Sequence, residues 1–159
     1  MVKRFRRILT LALAASALLS GGIFAIAQTS GSAAEAKAMF DRAIAALKAN
    51  ETAAIAAFND KNNKDYHDRD LYVFCYNMTD GKFTAHANPA LMGTDVRALK
   101  AGDDPLGQRI FDTIKNAAEG MRPPIIQYIF PKPGTNEPVP KESYVTRIGN
   151  EGCGVGYYK

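Results

Sequence analysis

Residues 71–96, LYVFCYNMTDGKFTAHANPALMGTDV, decide the fold of this chain. The first part, residues 71–79, is rich in β-branched and aromatic side chains, which predicts a buried strand. Asp80-Gly81 follows it, and this dipeptide is a strong signal for a tight hairpin turn. Residues 82–88 are then predicted as the returning strand. The stretch as a whole therefore predicts two antiparallel strands joined by a short turn.

The segment that precedes this hairpin is predicted to be helical. Ser32 and Glu35 have the spacing of a capping box, so we expect a helix to begin here. Alanine dominates the segment, and larger apolar side chains recur in it at helical spacing: Phe40, Ile44, Leu47, Ala54, Ile55 and Phe58. Residues 50–52, Asn-Glu-Thr, are expected to kink this helix or to split it in two. The polar stretch 59–70 is predicted as a loop.

A second helix and three further strands are predicted after the hairpin. Asp104 is expected to cap that helix, with Pro105 at its first position. The strands are predicted at residues 125–130, 142–148 and 152–158, and a proline-rich turn connects the first two. Consecutive strands with short links predict an antiparallel sheet with helices on one side, which is an α+β fold.

The N-terminus has the pattern of a secretory signal. Four basic residues lie within positions 1–7, an apolar run follows over residues 8–27, and the run ends in Ala-Ile-Ala. This order predicts that residues 1–27 are a signal peptide and that residues 28–159 form a single exported domain, periplasmic or secreted. The alternative is an uncleaved membrane anchor, because about 20 apolar residues are close to the length that spans a bilayer.

Removal of the signal changes the charge of the protein. The whole chain has 20 Lys and Arg residues against 16 Asp and Glu residues. Since four of the basic residues lie in the signal, the exported part has 16 of each kind and no net charge. Nucleic-acid binding requires a basic surface, so no nucleic-acid partner is expected. A membrane contact is expected only if the signal segment is retained.

Patterns typical of enzymes and metal sites are absent from the sequence. The chain has only His67 and His86 as histidines, and it contains no H-E-x-x-H, G-x-S-x-G or P-loop pattern. The glycines of residues 152–156, GCGVG, precede no helix that could bind a phosphate, so they indicate close strand packing. We therefore expect no catalytic residues, no metal and no cofactor. Cys75 and Cys153 indicate a disulfide in an exported protein, with two buried free thiols as the alternative.

Four stretches together resemble a known family, the Cache domains, which are extracytoplasmic sensor modules related to PAS domains. Residues 71–96 resemble the first hairpin of such a domain, with its strand–DG–strand–H–x–NP–x–L–x–G pattern. Residues 128–134, YIFPKPG, and 138–144, PVPKESY, resemble the Y-x-x-P-K-P-G and P-x-P-K-x-x-Y motifs of single Cache domains. Residues 154–158 resemble the closing strand. The resemblance covers residues 33–159.

The resemblance implies a specific topology. It implies a PAS-like five-stranded antiparallel sheet with the strand order 2-1-5-4-3 and a long N-terminal helix packed along it. In that order the first and last strands are central neighbours. Cys75 and Cys153 lie on these two strands, so the resemblance makes the disulfide the favoured alternative.

The resemblance also implies a small-molecule ligand on the sheet, often a carboxylate, an amino acid or an amine. An anion requires fixed positive charge and hydrogen-bond donors in a partly dry pocket. The side chains that offer these groups are predicted to bind the ligand: Lys132, Lys141, Arg147, Tyr72, Tyr128, Tyr144 and His86. The alternatives are solvated lysines, tyrosines that belong to the core, and a His86 that stabilises the turn after it.

The function predicted from these observations is that of a non-enzymatic periplasmic binding or sensing module for a small metabolite. Cache modules commonly lie between two membrane helices of a receptor, whereas this sequence ends directly after its last predicted strand. We therefore expect a free module that presents its ligand to a separate membrane sensor protein. The alternative is an envelope protein–protein interaction module with the same fold and no metabolite ligand. An enzyme that uses His86 ranks third.

Overall fold

A computed structural model of the chain describes residues 29–117 and 122–159. The predicted signal peptide, residues 1–27, lies outside the described residues. Within the described ranges, none of the helices combines the length and the apolar character that crossing a bilayer requires.

Two consecutive helices begin the described chain, α1 (Ala33–Ala49) and α2 (Glu51–Asn59). The predicted capping box is confirmed, because the Ser32 hydroxyl accepts a hydrogen bond from the Glu35 amide and the Glu35 carboxylate accepts one from the Ser32 amide. Asn50 is extended and ends α1, and its side chain accepts a hydrogen bond from the Ala53 amide at 3.0 Å. A single asparagine therefore splits the predicted helix in two by capping the second part.

Within the part of the chain that the structure describes, the sheet contains six antiparallel strands. Their bounds are β1 (His67–Asp68), β2 (Leu71–Asn77), β3 (Phe83–Ala85), β4 (Ile125–Pro131), β5 (Pro138–Ile148) and β6 (Glu151–Tyr158). The hydrogen-bonded order is β2-β6-β5-β4, and the short strands β1 and β3 pair with two ends of the same free edge of β2. The five predicted strands thus have the predicted order 2-1-5-4-3. The two-residue strand β1 is an addition, in a stretch that was predicted as loop.

The two faces of the sheet are covered by different helices. Alternate side chains of a strand point to opposite faces. One face packs against α1 and α2 and is called the α1 face; its sheet residues include Val73, Cys75, Tyr144, Cys153 and Val155. The other packs against α3 (Leu106–Lys115) and is called the α3 face; its residues include Tyr72, Phe74, Tyr76, Tyr128 and Val145. The expectation of helices on one side only is therefore wrong, because α3 has its own apolar stripe and buries it on the opposite face.

Two further local predictions differ from the structure. Asp104 does not cap α3: its carboxylate accepts two hydrogen bonds from the Arg109 guanidinium, at 2.9 and 2.6 Å. Strand β5 begins at Pro138, not at residue 142. Residues 138–140 extend beyond the end of β6, so they have a partner strand on one side only, where prolines without an amide hydrogen are tolerated.

A disulfide joins the two central strands. Cys75 of β2 and Cys153 of β6 are directly opposite each other in the register, with a Cα–Cα distance of 4.1 Å. Both residues are buried under the first two helices. The predicted pairing is therefore the one in the structure, and the alternative of two free thiols is not.

Three glycines of β6 leave room for large side chains on the α3 face. Gly152, Gly154 and Gly156 alternate along the strand and all point to this face. A Cβ on Gly154 would lie 2.5 Å from Phe74 Cζ, and one on Gly152 would lie 2.9 Å from Tyr76 Cε2. The prediction of close strand packing at these glycines is thus confirmed.

Candidate ligand-binding site

A cleft of about 490 Å³ opens at one end of the α3 face. Tyr72 of β2, His86 after β3 and Phe130 near the end of β4 line it, together with Lys132 and the rest of the turn between β4 and β5. The cleft therefore brings together polar and aromatic side chains from the ends of three strands. Three of these four residues were predicted as ligand contacts from the sequence.

A buried lysine lies directly behind this cleft. Lys141 of β5 is 1 % exposed, and its Nζ donates hydrogen bonds to the hydroxyls of Tyr72 at 2.8 Å and Tyr158 at 3.4 Å. The ammonium is also 4.1 Å from the ring centroid of Tyr72, 4.6 Å from that of Tyr158 and 5.7 Å from that of Phe130. Tyr72 and Phe130 are walls of the cleft, so Lys141 supplies positive charge from behind these two rings.

Gly156 allows Lys141 to reach this position. The lysine starts on β5 and must cross β6 to meet Tyr72 on β2. A Cβ on Gly156 would lie 2.4 Å from Lys141 Cε and 2.2 Å from Ser143 Oγ, closer than atoms can approach. The glycine in the closing strand therefore creates the passage for the lysine side chain.

The charge of Lys141 is sensitive to its surroundings. Burial lowers the pKa of Lys141 to about 7, and the nearby Asp70 carboxylate opposes that shift. Within the described ranges, no carboxylate lies at ion-pair distance from this amine. The amine is thus poised between its neutral and charged forms near neutral pH, and an anion that approaches it would favour the charged form.

His86 offers a defined hydrogen-bond donor to the cleft. Its Nδ1 accepts a hydrogen bond from the Asn88 amide at 2.9 Å, so this nitrogen carries no proton. Burial, with a smaller contribution from the Lys141 charge, lowers the pKa of His86 to about 3. The neutral ring therefore carries its proton on Nε2, which has no hydrogen-bond partner in the described part of the protein. His86 thus stabilises the turn through one nitrogen and leaves the other as a free donor.

Lys132 lies at the rim of the cleft and is linked to the start of the described chain. Its Nζ donates a hydrogen bond to Ser30 Oγ at 2.7 Å and lies 3.3 Å from Asp70 Oδ2. It also lies 5.3 Å from the ring centroid of Tyr158, a ring that Lys141 also contacts. The two lysines are therefore held against one tyrosine ring.

Tyr128 lies next to the cleft. It is directly opposite Lys141 in the register and points to the same face. Its hydroxyl shares a hydrogen bond of 2.7 Å with Ser143 Oγ, and burial raises its pKa. With Tyr72, His86 and other residues it lines a small cavity of about 20 Å³. Tyr128 thus belongs to the aromatic core below the cleft.

Tyr144 and Arg147 lie away from the cleft, although both were predicted as ligand contacts. Tyr144 is three positions after Lys141, an odd spacing that places it on the α1 face, where its ring packs against Phe40 at 6.0 Å. Arg147 shares the face of Lys141 but is six residues further along, about 20 Å on an extended strand. It is exposed and donates to the Gly149 carbonyl.

The sequence did not single out Asp70 and Tyr158 as site residues. Tyr158 donates a hydrogen bond to the Pro131 carbonyl at 2.6 Å, and its ring contacts both lysines. It has the same parity in β6 as Gly156, so strand alternation could have placed it on the α3 face. Asp70 is 7 % exposed, and its Oδ1 accepts a hydrogen bond from the Gly31 amide at 2.6 Å. No local sequence pattern indicates Asp70 as a site residue, because its contacts, Gly31 and Lys132, are distant in sequence.

Comparisons with known proteins agree with this architecture. The family model described as Single Cache domain 2 matches residues 24–158. One similar solved structure is described as the structural basis for carboxylic acid recognition by a Cache chemosensory domain. It has 23% sequence identity and a TM-score of 0.55, and the alignment covers 70% of this chain and 72% of that chain. No curated protein matches the chain.

Two other solved structures are similar in fold. A methyl-accepting chemotaxis protein from Vibrio parahaemolyticus RIMD 2210633 has 24% identity and a TM-score of 0.60, with 79% of this chain and 86% of that chain covered. A periplasmic sensor domain of a chemotaxis protein has 24% identity and a TM-score of 0.56, with 77% and 87% covered. At these identities the similarity shows the fold alone.

Proposed function

Because the chain belongs to the single Cache domain 2 family, we propose that it binds a small carboxylate in the cleft of the α3 face. The membership confirms the resemblance that the sequence motifs indicated. Cache domains are extracytoplasmic sensor domains without catalytic activity, so the family also supports the expectation of a non-enzymatic protein.

The charge of the cleft is the observation that carries this proposal. Its described lining includes Lys61, Lys132 and His86, and it includes no Asp or Glu. A volume of about 490 Å³ lies within the usual range for small-molecule sites. A cleft with cations and a fixed donor, and without acidic lining, favours an anion over an amine.

Each residue has a distinct part in the proposed binding. Lys132 pairs with the carboxylate at the rim, and the Nε2–H of His86 donates a hydrogen bond to it. Lys141 adds positive charge from behind Tyr72 and Phe130, and it takes up a proton as the anion arrives. One similar structure is described in terms of carboxylic acid recognition, which supports this class of ligand.

The location of the protein is part of the proposal. The family consists of extracytoplasmic or periplasmic sensor domains, and the N-terminal pattern predicts export. We propose that residues 28–159 act as one periplasmic domain after removal of residues 1–27. N-terminal sequencing of the exported protein tests this, since a retained N-terminus would instead indicate a membrane-tethered domain.

Thermal unfolding of the purified protein with a panel of small acids tests the ligand class. Acetate, propionate, lactate, succinate and malate form the panel, and acetamide is the uncharged control. At least one acid is expected to raise the Tm, because a ligand that binds only the folded state stabilises it. Lys132→Ala should weaken that binding roughly tenfold or more, since a charged hydrogen bond is lost. Arg147→Ala removes a cation outside the cleft and should have no effect.

A panel without any shift in Tm, or an equal loss of binding in Lys132→Ala and Arg147→Ala, contradicts the proposed site.

A second candidate function, an interaction module for an envelope protein such as a separate membrane sensor, is favoured by edge strand β4. Ile125 and Ile129 on this strand are 44% and 51% exposed. Capture of a partner that Ile129→Lys abolishes, together with an inert acid panel, would favour this second function.

A further inference from the structure

We propose that the ligand cleft and the N-terminal segment, residues 29–31, compete for Lys132, so that a carboxylate in the cleft loosens the segment from the domain. This inference rests on the proposed function and concerns the regulation of the same site. It follows from how the segment is held and from the position of Lys132 between the segment and the cleft.

Three side chains from distant parts of the chain hold the N-terminal segment. Asp70 Oδ1 accepts the Gly31 amide at 2.6 Å, and Lys132 Nζ donates to Ser30 Oγ at 2.7 Å, across sequence separations of 39 and 102 residues. Arg69 donates to the Ser30 carbonyl at 3.3 Å. Gly31 packs so closely on β2 that a Cβ there would lie 2.2 Å from Leu71. The segment is therefore docked by specific tertiary contacts.

Lys132 belongs to two sites at once. It lines the proposed ligand cleft with Tyr72 and His86, and it also lines a neighbouring cleft with Ser30 and Asp70. Its side chain is 32% exposed. A lysine ammonium on a flexible four-carbon stem can turn toward either side.

Asp70 already lies against the ammonium of Lys132. The Oδ2 of Asp70 is buried and has no hydrogen-bond partner among the described residues, although Lys132 Nζ lies 3.3 Å away. The pair is thus a contact of opposite charges without a well-formed hydrogen bond. A ligand carboxylate attracts the same ammonium and is repelled by Asp70. The ligand is therefore bound best when Lys132 turns away from Asp70 and Ser30.

Movement of Lys132 removes one of the contacts of the segment and leaves Asp70 without its cation. The segment directly precedes Ser32, which caps α1. Occupancy of the cleft is therefore transmitted to the beginning of α1 and to the chain that precedes it. Because coupling between two sites is reciprocal, release of the segment must in turn strengthen ligand binding.

Calorimetric titration with acetate, and with the acid from the panel that gives the largest thermal shift, tests this coupling. Ser30→Ala removes the competing acceptor without altering the cleft, and it should tighten binding by about fivefold or more, the lower end of typical coupling between sites. Thr29→Ala is the matched control and should bind like the original protein.

Hydrogen exchange at the Gly31 amide gives an independent readout. In the original protein, saturating acid should speed this exchange by the same factor of about five, while in Lys132→Gln it should change nothing. Unchanged or weaker binding in Ser30→Ala overturns the coupling and leaves the proposed function intact. Failure of the original protein to bind any acid of the panel overturns both.

Discussion

The side chain of Lys141 passes directly over Gly156. A Cβ on this glycine would lie only 2.4 Å from Lys141 Cε. This relationship places a buried ammonium behind the proposed ligand cleft. It depends on the absence of a single methyl group in the neighbouring strand.

Replacement of this glycine should therefore change both stability and binding. Gly156→Ala creates contacts that Ser143 and Lys141 must relieve, and it should lower the free energy of unfolding by about 1–3 kcal/mol. Urea denaturation measures the loss. Gly154→Ala is the matched comparison, because its Cβ would meet Phe74 and not the lysine. Only Gly156→Ala should also weaken carboxylate binding, and equal binding in the two variants would contradict the assigned role of the passage.

The low pKa of Lys141 predicts a pH-dependent stability. Burial lowers this pKa from 10.5 to about 7, so between these values the unfolded chain binds the proton and the folded protein does not. The free energy of unfolding, compared with that of Lys141→Met, should thus rise with pH above about 7, by at most about 1.4 kcal/mol per pH unit. Parallel denaturation curves of both proteins check this, and a difference that stays constant with pH would count against the shifted pKa.

Carboxylate binding should be linked to proton uptake. An anion beside Lys141 raises the pKa of this lysine above about 7, so affinity should increase as the pH falls toward about 7 and level off below it. Calorimetry in buffers of different ionisation enthalpy measures the number of protons taken up. Lys141→Met should take up none. His86 stays neutral in this range, because its pKa is about 3, so a proton signal that survives in Lys141→Met would have another source.

The disulfide should contribute strongly to stability. Cys75 and Cys153 are 78 residues apart, and closing so long a loop in the unfolded chain is worth about 4 kcal/mol on the chain-entropy model. The double variant Cys75→Ala/Cys153→Ala should lose roughly this amount in denaturant unfolding. Unfolding of the original protein in the presence of a dithiol reductant measures the effect of the bond alone. Comparison with the double variant then gives the effect of the lost sulfur atoms.

Local signals in the sequence predicted most of the fold. The aromatic and β-branched composition of residues 71–79 and the Asp80-Gly81 turn are determined by near neighbours, so the hairpin was predictable. The cap at Asp104 was not, because Arg109 competes for the same carboxylate. The ion pair between Asp104 and Arg109 is thus formed in place of the locally preferred helix cap.

The candidate site was predictable only in part. Lys132, Lys141, Tyr72 and His86 meet at the cleft, and the family motifs pointed to them. Strand alternation from Lys141 could have excluded Tyr144, whose ring lies on the other face. The contact between Lys132 and Ser30 spans 102 residues, and no local pattern in either segment indicates it.

The bond between β2 and β6 has a mechanical consequence for any sensing role. The disulfide links the two middle strands covalently at Cys75 and Cys153, so these strands cannot slide past each other when a ligand binds. The β4–β5 turn, which bears Lys132, and the N-terminal segment, which Lys132 contacts through Ser30, lie outside this linked pair of strands. A ligand-induced shift at the cleft can therefore take place without any change in the pairing of β2 with β6.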